Sequence, residues 1–373
     1  MDDAVSIENS VSKKKTRAVY CGNVQIGGGA PVSIQSMTNT FTEDAAATAA
    51  QIEALAVAGA DIVRCAVPTE EAALSIKEIK ARLEAKGISV PIVADAHFDY
   101  RPALAAIRSG ADKIRVNPGN IGGRERLKAV TDAAGTAGIP MRIGVNGGSI
   151  EKDLTDLYIK NPAEALVESA LRNIDIVRGF GFEDLVVSIK STDVVVNTAA
   201  HRLLAEKTDL PLHIGITEAG TGTAAAIKSA AGIGALLALG IGDTIRVSIT
   251  GDPVTEIAVA RDILRAVNLL PGQITLISCP TCGRCRVDLA ALCDRAAEEL
   301  KEIEKTRKSG RPIVAALMGC AVNGPGEASH ADVGVACGAE GGVYFEKGSQ
   351  AGPVSYDEIV ETLVRGVKAA CDE

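Results

Sequence analysis

Between about residues 30 and 268, one hydrophobic pattern repeats along the chain. Each repeat is a short run rich in valine and isoleucine, then a polar turn, then a stretch of alanine, leucine and charged residues with helical spacing. Eight such runs occur, and they are PVSIQSMTN, DIVRCAVP, PIVADAHF, DKIRVNPGN, PMRIGVNGG, DLVVSIKST, PLHIGITEAG and DTIRVSITGD. An open doubly wound sheet usually has fewer strands and a glycine-rich nucleotide turn after the first. The pattern therefore predicts a (β/α)8 TIM barrel over residues 30–270.

The pattern changes after Pro271. A strand leads to CPTCGRC, and a charged helix, the strand PIVAALMGCAV, a glycine-rich segment and a closing helix near Tyr356 to Ala370 follow. Proline and glycine in NLLPG interrupt the preceding helical pattern. We expect a separate small α+β domain over residues 271–373. Residues 1–29 are expected to be a tail and lead-in, with Lys13 to Lys15 in solvent.

The polar positions of the barrel strands carry candidate chemistry. Alternate side chains of a barrel strand face the helices and the barrel interior. Ile114 and Val116, for example, alternate with Arg115 and Asn117. Because the apolar set must pack on the helices, the polar set should point inward. The inward set predicted in this way is Arg64, Arg115, Arg142, Lys190 and Arg246, with Asn117, Asn146, Ser188 and Ser248.

Five buried cations need counter-charge, because an unpaired ion removed from water costs several kcal/mol. Asp95 on the third strand and Glu218 after the seventh lie at the same level. Two carboxylates do not balance five cations, so we expect a bound anion, and a diphosphate carries a suitable charge. A structural ion-pair network is the alternative.

The same strands offer candidates for proton transfer. Asp95 and Glu218 suit general acid or base catalysis, or else they only orient the arginines. His97 lies inward on the strand of Asp95 and either contacts substrate or is structural. His213 lies deeper on its strand, and we expect it to be a satisfied core residue.

The stretch CPTCGRC places Cys279, Cys282 and Cys285 at every third position. A disulfide is disfavoured in a reducing compartment, and a zinc ribbon needs a second C-x-x-C pair within about 15–20 residues. Only Cys320, in MGCAVNGPGE, follows at a suitable place. Three thiolates with one iron left for another ligand fit a 4Fe-4S cluster, and a zinc site is the alternative. The turn NGPGE should bring Glu327 near Cys320 as an oxygen ligand.

Composition narrows the cellular setting. The net charge of −8 disfavours a nucleic-acid partner. The start of the chain lacks the apolar core of a secretion signal, and no run approaches the roughly 20 residues of a membrane span. Nine cysteines without a signal peptide fit a reducing compartment. We expect a cytoplasmic protein with no membrane partner.

Motifs along nearly the whole chain resemble one known family. They are MTNT, DAHFDYR, RVNPGNIG, RIGVN, GITEAG, GIGDTIRVS, CPTCGR and GCAVNGPGE. The chain resembles the bacterial 4-hydroxy-3-methylbut-2-en-1-yl diphosphate synthases of the methylerythritol phosphate route to isoprenoids. The resemblance implies a barrel like that of dihydropteroate synthase, joined to a domain like part of the sulfite and nitrite reductases. It also implies a homodimer in which the cluster domain of one chain covers the barrel mouth of the other.

The resemblance further implies a substrate, a donor and a ligand set. The substrate is 2-C-methyl-D-erythritol 2,4-cyclodiphosphate, which is opened and dehydroxylated with electrons from reduced flavodoxin or ferredoxin. The implied cluster ligands are Cys279, Cys282, Cys320 and Glu327, and the implied diphosphate ligands are Arg115, Arg142, Lys190 and Arg246. Where the family has a hydroxyl residue, this chain has Cys285. It either competes for the cluster or binds nothing, and we favour the latter.

Two other functions stay open from the sequence. One is a redox-inert barrel aldolase or pterin-type transferase with a structural zinc domain. The other is an iron-sulfur sensor, but the acidic charge and the lack of a basic helix count against it. In the favoured function the cations bind the diphosphate, the cluster supplies electrons, and Asp95 or Glu218 supplies protons.

Overall fold

The computed structural model describes residues 11–97, 99–307 and 310–372. The first ten residues of the predicted tail and Phe98, the last residue of the third predicted strand, lie outside the described residues. The chain divides into two compact units, Met1–Leu269 and Leu270–Glu373. Among the described residues, no helix is both long and apolar enough to cross a membrane.

The first unit is a closed parallel barrel. Its strands are β1 (Val19–Cys21), β2 (Val24–Ile26), β3 (Ser33–Met37), β4 (Ile62–Ala66), β5 (Ile92–Asp95), β6 (Lys113–Val116), β7 (Met141–Asn146), β8 (Leu185–Lys190), β9 (His213–Ile214) and β10 (Thr244–Ile245). Its helices are α1 (Ala45–Ala58), α2 (Glu70–Glu84), α3 (Tyr100–Arg108), α4 (Arg124–Ala137), α5 (Thr155–Lys160), α6 (Pro162–Arg178), α7 (Val194–Lys207), α8 (Gly222–Ala238) and α9 (Pro253–Ala266). The eight barrel strands have the spatial order β8-β7-β6-β5-β4-β3-β10-β9, and a parallel bridge from Val187 to Leu212 joins the two ends. The predicted barrel is confirmed, with β9 and β10 shorter than the sequence pattern suggests.

Side-chain caps begin several barrel helices directly after the strands. Asp44 accepts a hydrogen bond from the backbone N–H of Ala47 at 2.9 Å, and Thr69 accepts one from Ala72 at 3.1 Å. Such caps satisfy N–H groups that have no partner in the first helical turn. They therefore help to define where these helices begin after the strands.

An antiparallel hairpin of β1 and β2 packs against the amino ends of the barrel strands. The buried side chains of Val19, Cys21 and Ile26 form one cluster with Ile62 and Val93, near the starts of β4 and β5. Apolar burial of this kind stabilises the barrel end by removing surface from water. The hairpin closes the end opposite the loops that follow the barrel strands.

The residues before the hairpin also pack on the barrel. Lys13 Nζ donates to Ala30 O at 2.5 Å, and Lys14 Nζ donates to Ala205 O. Both lysine side chains are partly buried, and burial lowers the pKa of each. The expectation that Lys13 to Lys15 lie in solvent is therefore wrong for Lys13 and Lys14, whereas Lys15 is exposed as expected.

The second unit is an α+β fold. Its strands are β11 (Ile274–Ser278), β12 (Ile313–Met318), β13 (Val333–Gly338), β14 (Gly341–Glu346) and β15 (Ser349–Val354), and its helices are α10 (Leu289–Thr306), α11 (Gly324–Ser329) and α12 (Ile359–Cys371). The sheet runs β11 to β15 in order, with β11, β12 and β13 parallel and the last two strands antiparallel. Leu292 of α10 and Leu363 of α12 pack on one face, and Ala328 of α11 packs on the other. The glycine-rich segment of the sequence thus contains three strands.

Candidate active site

Five basic side chains, from barrel strands or from the residue directly after one, lie together in the barrel interior. Arg115 and Arg142 are direct register partners on β6 and β7, and both are fully buried. The pKa of Lys190 is lowered to about 6, first by burial and then by three neighbouring arginines. The structure thus brings together the set that strand parity selects. It consists of Arg64 on β4, Arg115 on β6, Arg142 on β7, Lys190 at the end of β8 and Arg246 directly after β10.

Asp95, at the end of β5, is the counter-ion at the centre of this set. Its Oδ1 lies 3.0 Å from Arg115 Nη1, and its Oδ2 lies 3.5 Å from Arg64 Nε. Burial of this carboxyl raises its pKa, but Arg64, a hydrogen bond from His97 and Arg115 outweigh burial and hold the pKa well below its usual range. His97 Nε2 lies 3.2 Å from Asp95 Oδ1. Asp95 is therefore ionised and has no proton to donate near neutral pH.

The second buried carboxylate among the cations is Glu256 of α9. Its Oε1 lies 3.6 Å from Arg246 Nη2 and accepts a hydrogen bond from the backbone N–H of Ile249 at 3.0 Å. Glu218, by contrast, is exposed and has a left-handed backbone with φ of 52°. The prediction that Glu218 neutralises the cations is wrong. Strand parity cannot find Glu256, because it enters the interior from a helix.

Several buried guanidinium nitrogens have no hydrogen-bond partner among the residues that the structure describes. Arg142 is fully buried, and its Nε, Nη1 and Nη2 all lack one. Arg115 lacks partners for Nε and Nη2, and Arg246 lacks one for Nε. Burial, followed by Arg64 and Arg115, lowers the pKa of Arg142 well below its usual value. Buried donors without acceptors are costly, so this arrangement suits a bound anion with many oxygen atoms.

Two further titratable side chains lie at the amino ends of barrel strands. His213, the first residue of β9, borders the same cavity as Arg64, Lys190 and Arg246. Burial and then Arg142 hold the pKa of His213 well below its usual range, so the imidazole is neutral. Its Nδ1 has no partner in the described part of the chain, so the expectation of a satisfied core histidine is wrong.

Lys113, the first residue of β6, is the other one. Its side chain is fully buried, and burial lowers its pKa to about 8. Lys113 lies two residues before Arg115 and therefore on the same side of β6, so strand alternation would also have predicted it to point inward.

The polar companions of the cations also lie on the barrel interior. Asn117 and Asn146 share one hydrogen-bond partner, Ser149, at 2.7 Å from each side chain. Strand parity does not select Ser149, because it lies in the loop after β7. Ser188 and Ser248 border the cavity of His213.

In the second unit, two loops carry the candidate sulfur ligands. β11 and β12 are parallel and in register, so the loops that follow them leave from the same edge of the sheet. Cys279 and Cys282 lie in the first loop, and Cys320 lies in the second. The backbone N–H of Gly319 donates to Cys279 Sγ at 3.4 Å, which joins the two loops.

Hydrogen bonds favour the thiolate form of two candidate ligands, Cys282 and Cys320. Backbone and side-chain hydrogen bonds from Arg284 lower the pKa of Cys282, and backbone N–H groups of the following turn lower that of Cys320. The thiolate is the form that binds metal. Glu327, exposed in the first turn of α11, lies in the segment after Cys320. Within the described ranges, no three His, Cys, Asp or Glu side chains form a ready-made metal site, so the fit to an iron-sulfur cluster rests on donor chemistry.

Cys285 is engaged in packing. Its Sγ donates to Val287 O at 3.3 Å and contacts the apolar core of this unit. A Cβ at Gly319 would lie 2.5 Å from this sulfur, so an alanine there would require the sulfur or the loop to shift. That Cys285 binds no iron stays a prediction, which this packing supports.

A closed TIM barrel with a cationic interior, followed by a thiol-bearing α+β unit, defines the class of protein. Family models match both units, the GcpE TIM-barrel domain over residues 16–261 and the GcpE protein C-terminal domain over residues 275–369. The chain belongs to the GcpE family.

Relatives match this chain in sequence over nearly its full length. The chain is 49% identical over 361 residues to the 4-hydroxy-3-methylbut-2-en-1-yl diphosphate synthase (flavodoxin) of Caldanaerobacter subterraneus subsp. tengcongensis, covering 97% of this chain and 99% of the relative. It is 47% identical over 370 residues to the Bacillus subtilis protein of the same name, covering 99% of this chain and 95% of that relative. The resemblance seen in the motifs is confirmed. Among solved structures, the dihydropteroate synthase of Stenotrophomonas maltophilia aligns with a TM-score of 0.48 and 18% identity, covering 69% of this chain and 100% of that chain.

Proposed function

We propose that this chain is an oxidoreductase that converts 2-C-methyl-D-erythritol 2,4-cyclodiphosphate to 4-hydroxy-3-methylbut-2-enyl diphosphate in isoprenoid precursor synthesis. Near-full-length relatives that bear the name of this synthase support the proposal. They do not favour a redox-inert barrel transferase or aldolase, or an iron-sulfur sensor.

The environment of Arg142 is the main structural support for a diphosphate substrate. Its guanidinium is fully buried, and none of its nitrogens has a partner among the described residues. A diphosphate supplies both the oxygen acceptors and the negative charge that the barrel interior lacks. We assign substrate binding to Arg64, Arg115, Arg142, Lys190, Arg246, His97, Asn117, Asn146 and Ser248.

The reaction removes an oxygen atom as water and therefore consumes protons together with electrons. Asp95 is ionised by its arginines, so it suits orienting Arg115 and Arg64 better than donating a proton. Lys190 has a pKa of about 6 and can take up a proton when an anion binds beside it. Glu218, exposed after β9, stays a candidate proton donor.

The cofactor belongs to the same proposal. Cys279, Cys282, Cys320 and Glu327 would hold a 4Fe-4S cluster, which supplies the electrons of the reaction when bound. The lowered pKa values of Cys282 and Cys320 support thiolate ligation. Glu327 offers a harder and more exchangeable donor than a thiolate. Reduced flavodoxin or ferredoxin is the proposed electron donor.

The assembly and its location rest on the family resemblance. We propose a homodimer in the cytoplasm, in which the cluster-bearing unit of one chain serves the barrel of its partner, with no membrane or nucleic-acid partner. Light scattering of the purified protein measures the mass in solution, and a monomer at micromolar concentration would contradict this part of the proposal.

Binding to the oxidised protein tests the anion site without turnover. Calorimetry should show binding of the cyclic diphosphate that weakens steeply with salt. Arg142→Met should weaken binding at least tenfold while raising the thermal midpoint of the free protein, because a buried unpaired charge is replaced by an apolar side chain. Arg124→Met is the control, since Arg124 stacks on Phe180 at 5.3 Å. It should leave binding unchanged, and equal affinity of the Arg142 variant and the parent would contradict the assignment.

A further inference from the structure

A chain of hydrogen bonds links the loops after β6 and β7. The backbone N–H of Gly119 donates to Asn117 Oδ1 at 3.1 Å, and Asn117 Nδ2 donates to Ser149 Oγ at 2.7 Å. Ser149 Oγ donates in turn to Asn146 Oδ1 at 2.7 Å. Asn117 is 4% exposed, so this part of the chain of bonds is shielded from water.

The direction of these bonds is fixed from one end. A backbone N–H can only donate, so the Asn117 atom that faces Gly119 must be the oxygen. Its Nδ2 then faces Ser149, whose hydroxyl accepts that N–H and has its own proton left to give. Its nearer acceptor is Asn146 Oδ1 at 2.7 Å, and the Asn146 backbone carbonyl lies farther away at 3.4 Å. The shorter bond occupies the oxygen of that amide and leaves its Nδ2 as the remaining donor.

Asn146 stands beside a cation of the proposed anion site. It is the register partner of Lys190 across β7 and β8. The loop that carries Ser149 lies close to the loop after β6, as shown by Gly119, where a Cβ would lie 3.0 Å from Ser149 O. Ser149 therefore lies between the two loops, where it accepts a hydrogen bond from the oriented Asn117 amide and orients the amide of Asn146.

We propose that Ser149 is a positioning residue for substrate binding. It holds the amide of Asn146 so that Nδ2, and not Oδ1, is available to an oxygen of the diphosphate beside Lys190. This inference rests on the proposed function. Without the hydroxyl, both orientations of the Asn146 amide become accessible, and one of them presents a carbonyl oxygen to an anion.

The test uses the oxidised full-length chain and calorimetric binding of the cyclic diphosphate. Ser149→Ala should weaken binding roughly fivefold, the effect of one lost hydrogen bond, and Ser149→Thr, which keeps the hydroxyl, should restore most of it. In an Asn146→Ala background, Ser149→Ala should add little further loss. Ser191→Ala is the matched control, because the Ser191 hydroxyl in the loop after β8 accepts a hydrogen bond from its own loop, from Asp193 N at 3.1 Å.

The outcomes separate this inference from the proposed function. If the parent binds the cyclic diphosphate but Ser149→Ala binds equally well, Ser149 has no positioning role and the proposed function stands. Full additivity with Asn146→Ala, or a threonine variant as weak as the alanine variant, would also overturn the inference. If the parent itself does not bind, the proposed substrate is wrong.

Discussion

Arg115 Nη1 lies 3.0 Å from Asp95 Oδ1, with both side chains buried at the centre of the barrel. Asp95→Asn should destabilise the protein by about 3 kcal/mol in urea unfolding, because removing one partner leaves a buried charge uncompensated. The pKa of Asp95 is lowered on folding, so its stabilisation is complete above about pH 4 and lost as the pH falls through the folded-state pKa. The parent should therefore lose more stability than the variant below pH 4.

Asp132→Asn is the control for this experiment. Asp132 pairs with Lys128 at 2.6 Å on an exposed helix surface, and such pairs contribute at most about 1 kcal/mol. Equal destabilisation by Asp95→Asn and Asp132→Asn would show that Asp95 is not the counter-ion of the barrel cations.

Lys190 should couple anion binding to proton uptake. Its pKa is about 6 in the ligand-free barrel, and a bound diphosphate should raise it. At pH 7.5 the parent should therefore take up as much as about one proton more than Lys190→Met on binding pyrophosphate. Calorimetry in two buffers of different ionisation enthalpy measures the proton uptake of each protein. Protonation of pyrophosphate itself contributes equally to the parent and the variant, so it does not affect their difference.

The same pKa sets a pH dependence of stability. The unfolded lysine titrates near pH 10.4, so between about pH 6 and 10 the unfolded chain binds the extra proton. Burial of charged Lys190 lowers the free energy of unfolding by its full amount below about pH 6, and this destabilisation decreases as the pH rises. Parent stability should rise with pH relative to Lys190→Met, and identical proton uptake and identical pH profiles would contradict this role.

The barrel and its cations were accessible from sequence because strand alternation is a local property. Arg115 lies between Ile114 and Val116 in the printed sequence, and the inward direction follows directly. Glu256 and Ser149 reach the interior from a helix and a loop, whose paths depend on tertiary packing that no local period records. In the second unit, the glycines of β13 to β15 obscure the strand alternation, and these strands are defined by their pairing with one another and with β12.

Glu327 should matter more for turnover than for cluster assembly. Glu327→Gln should take up iron and sulfide and lose most activity. Glu327→Cys should give a more stable cluster and very low activity, because a thiolate exchanges less readily than a carboxylate at iron. Iron and sulfide analysis with paramagnetic resonance, with and without substrate, measures the cluster, and product formation measures the activity. A fully active Glu327→Cys enzyme would refute the role of an exchangeable ligand.

Gly319 and Cys285 should set the spacing of the two ligand loops. Gly319→Ala should lower iron incorporation by more than half, because its Cβ would lie 2.5 Å from Cys285 Sγ. Cys285→Ala in the same chain removes that sulfur and should restore iron. Gly283→Ala, in the CPTCGRC loop with open space at its Cβ, is the control.

Cys285→Ser alone should keep full iron content, since the four proposed ligands are intact. Loss of iron equal to that of Cys282→Ser would show that Cys285 is itself a ligand. Failure of Cys285→Ala to restore iron to the Gly319→Ala variant would instead contradict the packing explanation.

The most direct test of the central claim is product formation by the anaerobically purified chain. With reduced flavodoxin and the cyclic diphosphate, the protein should contain about four iron and four sulfide per chain and release 4-hydroxy-3-methylbut-2-enyl diphosphate, detected by phosphorus resonance. Cys320→Ser should abolish both cluster and product. A colourless zinc-containing protein that leaves the cyclic diphosphate unchanged would contradict the account.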